Sequence, residues 1–262
     1  MALRSILTSQ FSDPERNIND SHQRVSQASL IFFQGGNQTG KTSLAFQLAY
    51  DEASCGGVPL FICQKERVEL SFPLKVEVHN DRHIAQHGES TWNSVVLSRI
   101  HMKYISTTKE LITLLGGLHV FKPLPTLIVL DDLGSWIDPS LKRNHDQKMV
   151  DSYLFLLGII EDSVHCLKKI HQSKAQPENF RMIVLDNNEE NAVLHCFQHS
   201  CEEIISFHQN ALQSVDVKRI YTSRLSSWRG HQQSPPDELV GRLSLSSAGH
   251  LVLLHGTDSS VL

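Results

Sequence analysis

Short apolar runs alternate with amphipathic segments from residue 30 onward. The apolar runs predict strands at 30–33, 58–63, 95–104, 126–130, 182–185, 203–207 and 217–222, and a closing hairpin at 239–245 and 250–254. Apolar positions three or four residues apart predict helices at 42–53, 107–115, 149–167 and 191–197. Strands that are apolar on both faces and alternate with helices indicate an α/β fold with a mostly parallel sheet, flanked by helices. The last strands are expected to extend one edge of that sheet in antiparallel fashion.

Polar segments set the limits of this core. Residues 1–28 show no sustained period and are expected to form a flexible N-terminal arm. The core is expected to span 29–255, with a short tail at 256–262. Segment 64–94 is polar and rich in His, Asn and Gln, which favours a long surface insertion.

A glycine-rich loop lies between the first predicted strand and the first predicted helix, and it fits the pattern G-x-x-x-x-G-K-[ST]. Its residues are Gly35, Gly36, Asn37, Gln38, Thr39, Gly40, Lys41 and Thr42. Glycines permit a tight turn whose backbone N–H groups point inward around a phosphate, at the positive end of the following helix. Lys41 would reach the β- and γ-phosphates, and the Thr42 hydroxyl would be a ligand of Mg²⁺. The loop therefore predicts a P-loop that binds a nucleoside triphosphate.

A carboxylate follows the fourth apolar run. Leu127–Leu130 ends in Asp131, at the end of the strand where ligands of open α/β sheets bind. Asp131 is the second predicted Mg²⁺ ligand, either directly or through water. Asp132 is expected to point to the opposite face, because successive side chains of a strand alternate.

Hydrolysis requires a group that orients or deprotonates water, and two residues are candidates. Glu66 lies just past the second predicted strand; alternatively, it is a solvated residue of the Lys65-Glu66-Arg67 triplet. Asn188 follows the fifth predicted strand and would sense the γ-phosphate; alternatively, it forms a turn.

Composition limits the class of protein. The chain has 262 residues, a formal net charge of −4 and 40% hydrophobic residues, which is an ordinary globular balance. Five cysteines without a CxxC pair indicate reduced thiols in the cytosol or nucleus. No apolar stretch approaches the length of a membrane span. Nucleic acid binding would depend on a local basic patch, for which the candidate residues are Lys142, Arg143, Lys148, Lys168, Lys169, Lys174, Lys218 and Arg219.

The chain resembles the RecA-like recombinase ATPases and their divergent paralogues, among them the ATPase subunits that act with a SWIM-type zinc finger protein in Shu-type complexes. The resemblance covers 29–255, and the C-terminal strands are part of it. Four further stretches carry it. They are the loop at 35–42, Arg-Ile-His-Met-Lys-Tyr at 99–104 with Ser-Thr-Thr-Lys-Glu-Leu at 106–111, the strand that ends in Asp131, and 182–185 with Glu189 and Glu190.

This resemblance implies a RecA-like core, ATP and Mg²⁺ as cofactors, and DNA-stimulated ATP hydrolysis. It implies single-stranded DNA binding in homologous recombination repair, in the nucleus, with a SWIM-type zinc finger protein, a recombinase and its paralogues as partners. By register, the family's catalytic glutamate falls on Lys65, with Glu66 one residue later, and its glutamine falls on Asn188. The alternative is a P-loop scaffold that stabilises partner recombination proteins without hydrolysis.

Overall fold

A computed structural model describes residues 29–70, 72–79, 92–137, 146–173, 180–210, 214–220, 238–245 and 251–255. Its strands are β1 (Leu30–Gly35), β2 (Pro59–Cys63), β3 (Val76–His79), β4 (His101–Tyr104), β5 (Leu127–Leu130), β6 (Arg181–Asp186), β7 (Glu203–Gln209), β8 (Val215–Ile220), β9 (Glu238–Leu245) and β10 (Leu251–His255). Its helices are α1 (Lys41–Ser54), α2 (Lys65–Leu70), α3 (Ser94–Leu97), α4 (Thr108–Gly117), α5 (Asp146–Gln172) and α6 (Asn191–Ser200), with 3₁₀ turns at Leu118–Val120 and Leu133–Trp136.

The described strands form one ten-stranded sheet in the order β3–β10–β9–β8–β7–β1–β6–β5–β2–β4. The strands from β7 through β1, β6, β5 and β2 to β4 are parallel. Strand β8 pairs antiparallel with both β7 and β9, and β9 pairs antiparallel with β10. Strand β3 pairs parallel with β10 and forms that edge of the sheet. The predicted fold class is therefore confirmed: a mostly parallel sheet flanked by helices, with antiparallel C-terminal strands at one side.

Alternation along β1 divides the core into two halves. Leu30 and Phe32 pack on one face with α4, α5 and α6, and the Phe32 ring stacks on Phe197 with centroids 3.8 Å apart. Ile31 and Phe33 pack on the other face with α1. Every residue of β1 is buried, because helices cover both faces of the strand. This central position fixes the end of β1, where the glycine-rich loop begins.

Two sequence predictions are corrected here. The predicted strand at 95–104 is a short helix, α3, followed by the shorter strand β4. Asn93 caps this helix, since its side chain accepts a 2.9 Å hydrogen bond from the Val95 N–H. Segment 64–94 is not wholly an insertion: it contains α2, and its residues Val76–His79 form a strand of the sheet.

Other expectations fall outside the described residues. The arm at 1–28, the tail at 256–262 and the turn between β9 and β10 are among them, so the proposed domain limits stay predictions. Among the described residues, no helix combines the length and apolar character needed to cross a membrane.

Candidate functional site: a glycine-rich loop beside a carboxylate pair

The glycine-rich loop connects β1 with α1 at the middle of the sheet. Gly35 has a φ of 155°, and a Cβ at this position would lie 2.5 Å from the Phe207 carbonyl oxygen on β7. Gly40 caps α1 with a φ of 83°. Any other residue would be strained at both ends of the loop, which explains the two glycines of the sequence pattern.

The start of α1 is open to an anion. Gly40 contributes no side chain to cap the helix, and the first turn holds no acidic residue. The N–H groups of a first helical turn lack partners within the helix and carry partial positive charge. Thr39 is buried and donates a 3.0 Å hydrogen bond to the Gly36 carbonyl, which holds the loop in its curve. The loop therefore has the shape and polarity of a phosphate cradle.

Lys41 is folded back over this loop. Its Nζ donates to the carbonyl oxygens of Gly35 and Gly36, both at 2.6 Å, and to Thr39 Oγ1 at 3.0 Å. Burial lowers the pKa of Lys41 to about 8, although the nearby carboxylates of Asp131, Asp132 and Asp186 act in the opposite direction. A buried ammonium group thus lies at the place where the loop would meet the phosphates.

The two predicted metal ligands are neighbours. The Thr42 hydroxyl donates a 2.9 Å hydrogen bond to Asp131 Oδ1. Asp131 is 2% exposed, and within the described part of the chain its Oδ2 accepts no hydrogen bond. Burial raises the pKa of Asp131, whereas Arg67 and the Thr42 hydroxyl lower it. A hydroxyl and a carboxylate with one unsatisfied oxygen are donors that fit Mg²⁺, which needs few protein ligands when phosphates supply the rest.

Asp132 belongs to the same site, contrary to the sequence prediction. Its φ of 70° is left-handed, so the strand alternation ends at Asp131 and the next carboxylate turns back. The Arg67 guanidinium pairs with both carboxylates: Nη1 contacts Asp132 Oδ2, and Nε lies 3.9 Å from Asp131 Oδ2. Arg67 was not predicted from the sequence, where Glu66 and, by register, Lys65 were the residues of that triplet considered for catalysis.

The two hydrolysis candidates are placed differently. Glu66 is exposed in the first turn of α2, and it makes no hydrogen bond or ion pair within the described residues. Asn188 is half-buried after β6, and its Oδ1 accepts a 2.8 Å hydrogen bond from the Glu190 N–H. That bond is typical of an Asx turn, the alternative interpretation of this residue. The catalytic roles of Glu66 and Asn188 stay predictions.

Two further acidic residues approach the loop from the end of β6. Asp186 is buried, and its Oδ1 accepts a 3.1 Å hydrogen bond from the Asn188 N–H. Burial raises the pKa of Asp186 to about 6, against the opposing effect of hydrogen bonding. The Glu189 carboxylate lies against Gly36, with Oε1 3.1 Å from the position of a Cβ there. Asp186 stands at the carboxyl end of a parallel strand, so the rule that identified Asp131 would also have found it.

Residues 195–201 contain two histidines and two cysteines, and the basic residues named for nucleic acid binding are spread over several parts of the chain. Cys196 and Cys201 are buried in the apolar core, and His195 Nδ1 lies 2.8 Å from Gln198 Oε1. In the part of the chain that the structure describes, no group of three or more His, Cys, Asp or Glu side chains is arranged to hold a metal ion. Lys168 pairs with Glu202 at 3.8 Å. Lys142, Arg143 and Lys174 lie outside the described residues.

Comparisons with known proteins were made in sequence and in structure. No family model matches the chain, and no curated protein matches it in sequence. Its structure is similar to that of a KaiC-like protein from the hyperthermophilic archaeon Pyrococcus horikoshii OT3. The two are 13% identical, the match covers 86% of this chain and 88% of the other, and the TM-score is 0.47.

Proposed function

We propose that the chain binds a nucleoside triphosphate together with Mg²⁺ at the loop 35–42. The observation that carries this proposal is the hydrogen bond between Thr42 and Asp131. It joins the phosphate loop after β1 to the buried carboxylate after β5, so the anion site and the cation site share one edge of the sheet. A glycine-rich turn that matched the motif by chance would have no reason to meet a buried acid in this way.

Each residue of the site has a distinct task in this proposal. The loop N–H groups and the start of α1 bind the phosphates, and Lys41 exchanges its carbonyl partners for phosphate oxygens. Thr42 and Asp131 hold the Mg²⁺, which would neutralise the charge that develops on the phosphates. Glu66 or Asn188 orients water, if hydrolysis occurs at this site.

The resemblance of the sequence to RecA-like recombinase ATPases supports a narrower proposal. On that basis the nucleotide is ATP, and the chain is a DNA-stimulated ATPase that binds single-stranded DNA in homologous recombination repair in the nucleus. A SWIM-type zinc finger protein, a recombinase and the paralogues of that recombinase are its proposed partners. The stretch 99–111, which forms β4 and the start of α4, carries the most specific part of this resemblance.

A second candidate function is a nucleotide-binding scaffold that does not hydrolyse ATP and stabilises its partners. The observation that favours it is the exposed position of Glu66, which makes no hydrogen bond or ion pair within the described residues. Both candidates require nucleotide binding, and they differ in turnover.

Nucleotide binding and turnover are separable by experiment. Binding of a fluorescent ATP analogue and release of phosphate are measured for the wild-type chain, Lys41→Ala and the control Lys109→Ala, which alters an exposed residue of α4. We expect Lys41→Ala to weaken binding at least about tenfold and the control to match wild type. Binding without phosphate release, with or without single-stranded DNA and the SWIM-type partner, would favour the scaffold. Equal binding by wild type and Lys41→Ala would refute the proposed site.

Binding to single-stranded DNA is tested by its salt dependence. Fluorescence anisotropy of a labelled oligonucleotide, recorded at several salt concentrations, gives the number of phosphates that the protein contacts. We expect affinity to fall steeply with salt and to exceed the affinity for a duplex of the same length. A flat response would contradict the DNA-binding part of the proposal and leave nucleotide binding unaffected.

A further inference from the structure

The Arg67 guanidinium lies between the two carboxylates that follow β5. It pairs with Asp132 Oδ2, and its Nε lies 3.9 Å from Asp131 Oδ2. That Asp131 oxygen is buried and accepts no hydrogen bond from the described residues. Arg67 is therefore the cation that lies nearest to this unsatisfied oxygen among the ion pairs described. The proposed function requires Mg²⁺ at the same place.

The electrostatics of the site explain why a cation is needed there. Two adjacent carboxylates repel one another, and burial of either one is costly unless a positive charge is near. Lys41 is turned toward the loop carbonyls, and within the described residues it donates no hydrogen bond to either carboxylate. Arg67 therefore acts as the counter-ion of the pair when no metal is bound.

The three partners differ in their freedom to move. The Asp131 side chain is 2% exposed and that of Asp132 is 16% exposed, whereas that of Arg67 is 31% exposed. Arg67 belongs to α2, a helix of six residues between β2 and β3. A long side chain at the solvent boundary can leave two less exposed carboxylates more easily than those carboxylates can rearrange. The exchangeable member of the cluster is thus the arginine.

We propose that Arg67 is a competing cation which keeps the Asp131–Asp132 pair neutralised without metal and which Mg²⁺ must displace. Once displaced, its guanidinium binds the terminal phosphate of the nucleotide, for which a planar bidentate donor is well suited. Arg67 then contacts the nucleotide directly and determines specificity for a triphosphate over a diphosphate. Only the contact with the terminal phosphate rests on the proposed function, because competition between Arg67 and a metal for the carboxylates does not require nucleotide.

The first test uses metal alone. Binding of Mn²⁺ as a probe is followed by electron paramagnetic resonance for the full chain without nucleotide. We expect Arg67→Ala to bind Mn²⁺ about fivefold more tightly than wild type, and Arg67→Lys, which keeps the charge, to stay near wild type. Lys65→Ala is the matched control, since Lys65 is an exposed cation of the same helix whose partner is Glu69. Unchanged Mn²⁺ affinity in a folded Arg67→Ala protein would overturn the competition.

The second test uses nucleotide. Fluorescent analogues of ATP and ADP are titrated at saturating Mg²⁺ into wild type, Arg67→Ala and Lys65→Ala. We expect Arg67→Ala to lose most of the preference for the triphosphate, by about tenfold, with little change in the affinity for the diphosphate. An unchanged ratio would overturn the phosphate contact.

The two tests distinguish the failure of this inference from that of the proposed function. If no variant, wild type included, binds either nucleotide, then the proposed function fails, and the Mn²⁺ measurement still decides the competition. If nucleotide binds and both the Mn²⁺ affinity and the triphosphate preference are unaffected by Arg67→Ala, then Arg67 is an ordinary structural ion pair. Circular dichroism and thermal unfolding of Arg67→Ala and Arg67→Lys show whether α2 remains folded.

Discussion

The Thr42 hydroxyl donates a 2.9 Å hydrogen bond to the buried carboxylate of Asp131. Thr42 lies in the first turn of α1 and Asp131 follows β5, so the bond joins the segments that follow β1 and β5, two strands separated in the sheet by β6. A hydroxyl that donates to a carboxylate leaves its lone pairs free, and these are what Mg²⁺ coordinates. In the proposed site this bond would hold both oxygens in position for Mg²⁺.

Substitutions at Thr42 should distinguish the role of the side-chain hydroxyl from that of the methyl group. Thr42→Val keeps the shape of the side chain and removes the oxygen, so Mg²⁺-dependent binding of nucleotide should weaken about ten- to hundredfold. Thr42→Ser keeps the oxygen and should bind within about threefold of wild type. Nucleotide titrations with Mg²⁺ and with excess chelator provide the measurement. Loss of binding in Thr42→Ser but not in Thr42→Val would show that the methyl group, not the hydroxyl, is required.

Gly40 and Gly56 form a matched pair. Both have positive φ, at 83° and 85°, so alanine carries the same backbone strain of roughly 1 kcal/mol at each. At Gly40 a Cβ would also lie 3.2 Å from Leu251 Cδ1, whereas at Gly56 no atom lies within 4 Å. We expect Gly40→Ala to reduce the free energy of unfolding more than Gly56→Ala does, and to impair nucleotide binding, which Gly56→Ala leaves intact. Urea unfolding and nucleotide titration of both variants test this; equal effects would contradict it.

A second glycine pair tests packing behind the site. A Cβ at Gly134 would lie 2.7 Å from the Tyr153 hydroxyl and 2.8 Å from Asp186 Oδ1. Gly134→Ala should therefore cost about 1–3 kcal/mol of stability. Gly158 lies inside α5 and a Cβ there meets nothing within 4 Å, so Gly158→Ala should stabilise by about 0.5–1 kcal/mol. Thermal unfolding of the two variants should move in opposite directions, and a gain from Gly134→Ala would refute the packing argument.

The buried Asp186 predicts a pH dependence of stability. Its pKa is raised from 3.8 to about 6 in the folded protein, so the folded state holds the proton more tightly than the unfolded chain does. The resulting stabilisation is complete below pH about 4 and is lost as the pH rises through about 6. Asp186→Asn, which retains an oxygen for the Asn188 N–H, should remove this dependence.

We therefore expect Asp186→Asn to gain stability relative to wild type between pH about 4.5 and about 7.5, by at most roughly 3 kcal/mol. Urea unfolding across this range measures the difference. Asp151→Asn, an exposed substitution on α5, is the control. A constant difference between wild type and Asp186→Asn across the range would show that Asp186 does not titrate there.

Local rules applied to the sequence predicted the central strands and the loop. Continuous apolar runs identify buried parallel strands such as β1 and β5, and a glycine-rich turn with Lys41 and Thr42 needs no distant contact to be recognised. Strand β3 was missed because four residues, Val76–His79, carry too little periodicity, and their partner β10 lies far away in the sequence. The short helix α3 was missed because apolar residues at consecutive positions also fit a strand.

The site residues were predictable only where the backbone continues as a regular strand. Asp131 follows from the rule that ligands bind at the carboxyl ends of strands, and the structure places it beside Thr42. Asp132 was assigned to the opposite face, since alternation assumes an extended chain and its positive φ ends that extension. The proximity of Arg67 to the two carboxylates depends on where the chain after β2 lies relative to the end of β5, and no local pattern in the sequence predicts that.

The packing of Gly40 against the C-terminal strands has a consequence for synthesis of the protein. Leu243 on β9 and Leu251 on β10 are the side chains that face Gly40. A ribosome completes the loop early and these two strands much later, whereas the loop needs both for its final packing. We expect the loop to reach its final packing only after β9 and β10 have been synthesised and have joined the sheet.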